Sequence, residues 1–202
     1  ASAGGNAVLR HLLRAQVSEA KNDPATAEKE LREAVAADES GEAGLVLARF
    51  LVSRRLNAQT APEVLEILRR ASGSKNRTGA EALALGLSSG VVPPTEWEGW
   101  ISSLRSHPQV GANGLLLADA SEIRLKPATK SEVVARMVAR LRDKPLAERV
   151  QGMMLAMQVG EPQAASSLVD PTEAAGDAQV LAMWLDALAL QNRWPEIVEV
   201  LK

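Results

Sequence analysis

The sequence predicts an all-α fold, a solenoid of about six antiparallel helix pairs, on three observations: a composition suited to helices, helix starts at a near-constant interval, and short loops between them. Ala and Leu dominate the 202 residues, Tyr and Cys are absent, Phe50 is the only phenylalanine, and β-branched runs are few. Such residues favour helices over strands.

The interval comes from helix-start chemistry. Thr60/Glu63, Thr95/Glu98 and Thr129/Glu132 match the capping box, in which a Thr hydroxyl accepts from the third helical N–H and a Glu reaches back to the cap; they lie 35 and 34 residues apart. Asp23-Pro24, Gly160-Glu161-Pro162 and Trp194-Pro195-Glu196 mark three further starts, because proline in a first turn forfeits no hydrogen bond. The six starts fall near 23, 60, 95, 129, 160 and 193, a spacing of 31 to 37 residues that suits one helix pair.

Between them lie six more apolar first helices, over 6–21, 42–57, 78–89, 112–125, 146–159 and 178–192. The second helix after Asp23 sets Ala27, Leu31 and Ala34 on one face, where small residues let a neighbour approach. Ser72-Gly73-Ser74-Lys75-Asn76, Val92-Pro93-Pro94, His107-Pro108 and Asp170-Pro171 read as connections, as does Glu39-Ser40-Gly41. No boundary splits the chain, so 1–202 reads as one domain with repeats near 6–39, 42–72, 77–107, 111–143, 145–170 and 172–202. The start at Ala1 and an end inside an apolar helical pattern mark it as a piece of a longer protein.

Leu45, Ala48 and Val52 in the second repeat, Val150, Met153, Met154 and Met157 in the fifth, and Leu181, Trp184, Leu185 and Leu188 in the sixth, followed by LQNRWPEIVEVL, resemble the tetratricopeptide repeat family from about Asn6 to the end. Arg49 stands where that family has a small residue, and Leu and Met replace most of its aromatics. The resemblance implies a right-handed superhelix whose first helices line a concave, partner-binding face. Its groove positions would be Val46, Phe50, Ser53 and Arg54 in the second repeat, and Leu115, Asp119 and Glu122 in the fourth. The fifth would add Glu148, Gln151, Leu155 and Gln158, and the sixth Gln179, Met183 and Asp186. Those positions carry no Lys or Asn to grip a terminal carboxylate, so a helical or extended internal segment of another protein is the ligand implied.

Other function classes lack their residues. The 25 acidic and 23 basic side chains are spread along the chain with a net charge of −2, which builds no footprint for nucleic acid. No apolar run reaches the roughly 18 residues of a membrane span, since Asp186 interrupts the densest stretch, 180–190. Zero cysteines exclude disulfides and thiolate metal sites and suit reducing and oxidising surroundings equally. Without HExxH, GxSxG, a phosphate-binding glycine loop or metal-spaced carboxylates, no enzyme activity, metal or cofactor is expected.

The remaining features read as structural. His11 and His107, the only histidines, are expected in packing or solvated roles. Met153, Met154 and Met157 read as core filler, and Arg54-Arg55 and Arg69-Arg70 as cations favoured at helix C-termini. Of Trp97 and Trp100, one is expected inside and the other as a partial anchor for a partner. Ile197, Val198, Val200 and Leu201 occupy more than one face of the last helix, which reads either as scattered exposure or as an end covered by further repeats or by a second copy. The leading expectation is a protein-binding scaffold or adaptor, with a helical appendage of a larger enzyme or secretion machine as the alternative.

Overall fold

The computed structural model describes residues 3–38, 41–54 and 56–201. Among them every regular element is helical, 13 α-helices and no strand. Arg55 and the Glu39-Ser40 part of the first connection lie outside the described residues. The chain divides into two compact units at Val110/Gly111, in the turn that the sequence places inside a single domain.

The first unit holds α1 (Ala3–Ala20), α2 (Pro24–Ala37), α3 (Glu42–Arg54), α4 (Ala61–Ser72), α5 (Arg77–Ser89) and α6 (Trp97–Ser106). Each helix packs on the next in sequence, and α3 also touches α5. Ala27, Leu31 and Ala34 are the buried residues of α2, as their spacing predicts. Helix α3 is buried over most of its circumference, including Leu47, Phe50 and Leu51, which makes it an inner element.

The second unit holds α7 (Ala112–Leu125), α8 (Lys130–Leu141), α9 (Leu146–Gln158), α10 (Pro162–Ser167), α11 (Pro171–Ala174), α12 (Ala178–Leu190) and α13 (Trp194–Val200). Its core gathers Val133, Met137 and Leu141 of α8, Met153 and Ala156 of α9, Leu168, and Trp184 and Leu188 of α12. Gly152 permits this contact, since a Cβ there would stand 2.2 Å from Leu141 Cδ1.

One turn recurs between first and second helices. Asn22, Gly160 and Asn192 all adopt the left-handed conformation, at φ of 56°, 75° and 58°. The next residue's N–H then reaches back five positions, Asp23 to the Ser18 carbonyl, Glu161 to Ala156 and Arg193 to Leu188, at 2.9, 2.8 and 3.0 Å. This is the Schellman closure, and Gly or Asn is what it requires.

The threonine caps do not form. Thr60 sits in the helical region of backbone space and Thr95 lies inside the 3-10 turn Pro94–Glu96. Thr129 closes another 3-10 turn, Pro127–Thr129, and its hydroxyl donates to the Lys126 carbonyl at 2.9 Å. Neither Thr60 nor Thr129 caps its helix through its side chain. Asp170-Pro171, expected as a connection, instead opens the short α11 with a complete capping box between Asp170 and Glu173.

Candidate interaction surfaces

On α3, residues three and four apart share a face, and Val46, Arg49 and Ser53 form the exposed one. Val46 is 39% exposed, and Arg49 reaches across to Glu81 of α5. Arg54 is also exposed, whereas Phe50, predicted among the groove residues, is buried.

The predicted positions of the second unit separate helix by helix. On α7, Leu115 and Glu122 are half-buried and Asp119 has no exposed surface. Arg140 Nη2 lies 2.6 Å from Asp119 Oδ2, Arg136 Nη2 lies 3.7 Å from Asp119 Oδ1, and Arg136 also meets Glu122 at 2.6 Å. Arg136 and Arg140 are one turn apart on α8, so this network fastens α7 to α8 and does not present Asp119 to a partner.

Helices α9 and α12 are in contact, and both keep an exposed stripe. Gln151, Met154 and Gln158 line that of α9, and Gln179, Ala182 and Asp186 that of α12. Glu148 and Met183 are half-buried beside these stripes, and Leu155 is buried. Of the three methionines of α9, Met153 is fully buried and Met157 packs on the core, while Met154 faces out.

A second kind of concavity runs between successive second helices. In the first unit two clefts, of about 290 and 360 Å³, share Val35 of α2 with Ile67 and Arg70 of α4. A cleft of about 420 Å³ between α8 and α10 is lined by Val134, Val138 and Ala164. Ion pairs run alongside these clefts: Arg32 of α2 to Glu63 of α4 at 2.5 Å, and Lys130 of α8 to Glu161, just before α10, at 3.2 Å. The Arg32 guanidinium, through its hydrogen bond, holds the Glu63 carboxyl below the usual glutamate range. Arg69 and Arg70, expected to favour a helix end, are paired with Glu96 and Glu66.

The titratable and aromatic residues are tied into the fold. His107 Nε2 donates to the Ser74 carbonyl at 2.8 Å, and its Nδ1 accepts from the Gln109 N–H at 3.1 Å. His11 Nδ1 meets Glu30 at 2.7 Å, bridging α1 and α2. Trp97 and Trp100 are both buried, so neither anchors a partner; the Trp97 indole N–H donates to the Val92 carbonyl. Among the described residues no group of three or more His, Asp or Glu side chains is placed to hold a metal ion, and no helix is long and apolar enough to cross a membrane.

Two exposed apolar surfaces lie on α1 and around α13. Leu9, Leu13 and Val17 form an exposed stripe on α1. At the other terminus Leu190, Trp194, Val198 and Leu201 are exposed, while Ile197 and Val200 pack on the core. Helical spacing marks all of these as apolar-face residues, but it carries no signal for which face stays uncovered. Compared with models of known families, with curated proteins and with solved structures, the chain has no match.

Proposed function

We propose that this chain is a protein-binding scaffold, built as tetratricopeptide-like helix pairs stacked into a right-handed solenoid, that holds a helical or extended segment of another protein against its first helices. The observation that carries this reading is the pair of exposed stripes on α9 and α12, two helices in contact: Gln151, Met154 and Gln158 on the first, and Gln179, Ala182 and Asp186 on the second. Glutamine amides offer donors and acceptors to a peptide backbone, and an exposed methionine adapts to varied side chains. Neither stripe is consumed in holding the unit together, unlike Asp119 of α7.

Affinity capture with the unaltered chain and with the triple variant Gln151→Arg, Gln158→Arg, Gln179→Arg tests it. These side chains are exposed, so the variant is expected to retain its helical spectrum and melting temperature and to lose the captured partner. Partners captured equally by both chains would remove the α9/α12 face from consideration.

A further inference from the structure

We propose that Asn113 is a self-modification site: the Gly114 backbone nitrogen closes on its carboxamide carbon, ammonia leaves, and hydrolysis of the ring installs a carboxylate in the first turn of α7. The chain has six asparagines, at 6, 22, 57, 76, 113 and 192, and only Asn113 precedes a glycine. With no side chain on the attacking residue, nothing crowds the ring as it closes.

Hydrogen bonds hold four of the other asparagines back. Asn22 and Asn192 adopt the left-handed conformation, and the N–H groups that would attack, those of Asp23 and Arg193, are tied to the Ser18 and Leu188 carbonyls at 2.9 and 3.0 Å. The Asn57 carboxamide oxygen accepts from the Gln59 and Thr60 N–H groups, and that of Asn76 from the Gly79 N–H at 3.3 Å. Asn113 is exposed, and among the described residues its side chain has no hydrogen-bond partner.

A helical backbone keeps the nitrogen away from the carboxamide carbon, so the reaction runs through an opened first turn, and this turn is built to open. The helical ladder begins with the Leu115 N–H on the Gly111 carbonyl at 3.1 Å, which leaves the Gly114 N–H ahead of it. Gly111 at the N-cap position supplies no side-chain bond, the first turn carries no acid, and glycine is a poor helix former at 111 and at 114. Leu116 is the first buried residue of α7, so 112–114 unwind without exposing a buried side chain.

Water is the only co-reactant. The bond from Gly114 N to Asn113 Cγ forms, the Cγ–Nδ2 bond breaks, and the Gly114 proton leaves with Nδ2 as ammonia, giving a succinimide. Water then opens the ring at Cγ to give aspartate, or at the backbone carbonyl carbon to give isoaspartate, whose main chain gains a methylene. Either product adds one negative charge to the net −2 of the chain. The aspartyl form sets that charge at a helix N-terminus, where it is stabilising.

Timed incubation of the folded chain at mildly alkaline pH, followed by peptide mapping with mass spectrometry, tests this against a parallel series in denaturant. Asn113 should lose its amide several-fold ahead of every other asparagine, and Gly114→Ala should abolish the lead. Gly111 has extended backbone at φ −89° and ψ 175°, and a Cβ there meets nothing within 4 Å, so Gly111→Ser supplies the missing cap without strain. That variant should slow the loss several-fold in the folded chain and match the parent in denaturant. An Asn113 that reacts no faster than the other asparagines, or a Gly111→Ser chain with the parent's folded-state rate, would overturn the proposal. Equal slowing in denaturant would overturn the route through the opened turn. Asn113→Asp should raise the melting temperature by about 1–4 °C. A variant that melts no higher than the parent would overturn the stabilising effect of the product.

Discussion

The Arg140 guanidinium of α8 lies 2.6 Å from the carboxylate of Asp119, which has 0% exposure on α7, so a charge that periodicity sets on a binding face instead fastens two helices of the second unit. Arg136, at 3.7 Å from the same carboxylate and 2.6 Å from Glu122, extends the network towards the surface.

Asp119 is therefore expected to be a stability residue. Asp119→Lys would bury an ammonium against two guanidinium groups, and the second unit should fail to fold cooperatively. Arg140→Ala keeps Arg136 nearby but removes the closer cation from a buried carboxylate, at a cost of about 3 kcal/mol. Glu122→Lys, half-buried and beside Arg136, exchanges an ion pair for a like-charge contact nearer the surface and should cost less than either change at the buried pair. Thermal unfolding followed by circular dichroism separates the three, and an Asp119→Lys chain that melts like the parent would refute the assignment.

Glycines within helices give a contrast that steric distance decides. A Cβ at Gly86 of α5 would stand 2.4 Å from Trp100 Cζ3 and 3.0 Å from Val92 Cγ2, whereas one at Gly99 of α6 would meet nothing within 4 Å. Gly86→Ala must displace the buried indole and should destabilise the first unit by about 1–3 kcal/mol, with a change in tryptophan fluorescence. Gly99→Ala only restricts the unfolded chain and raises helix propensity, so it should stabilise by about 0.5–1 kcal/mol. Denaturant titrations of the two variants should move in opposite directions.

Helix positions were legible from periodicity because an apolar stripe, a breaker and a short loop suffice to bound a helix. The predicted 112–125 is α7 as observed, and Leu146–Gln158 falls one residue short of the predicted end. The threonine caps were not legible, since 3-10 turns precede α6 and α8 and change which N–H groups need a partner. The repeated closure at Asn22, Gly160 and Asn192 has a sequence signal, an Asn or Gly two positions before the second helix, and it falls at the three starts that carry no Thr-x-x-Glu. Surfaces were the least legible. Leu13 and Leu12 are adjacent apolar residues of α1, yet Leu13 is exposed and Leu12 half-buried, because exposure depends on which helix lies alongside.

Acid should loosen both units through carboxylates held by arginine. Arg32, through its hydrogen bond, lowers the Glu63 carboxyl below its ordinary value of 4.5, and Arg149 does the same to Glu173. Arg149 makes a two-point contact with Glu173 and also donates to the carbonyls of Lys144, at 2.9 Å, and Leu168, at 3.1 Å. A carboxyl whose folded pKa is depressed contributes stability that is fully present above the unfolded value and is lost as pH falls through the folded one. The melting temperature should therefore hold while pH stays well above 4.5 and decline once it drops below. Glu63→Gln and Glu173→Gln should each lower stability at neutral pH and flatten the acid decline, because the titrating group is gone. Melting curves at closely spaced pH values check this, and a glutamine variant with the parent's full acid slope would show that its carboxylate contributes nothing to the linkage.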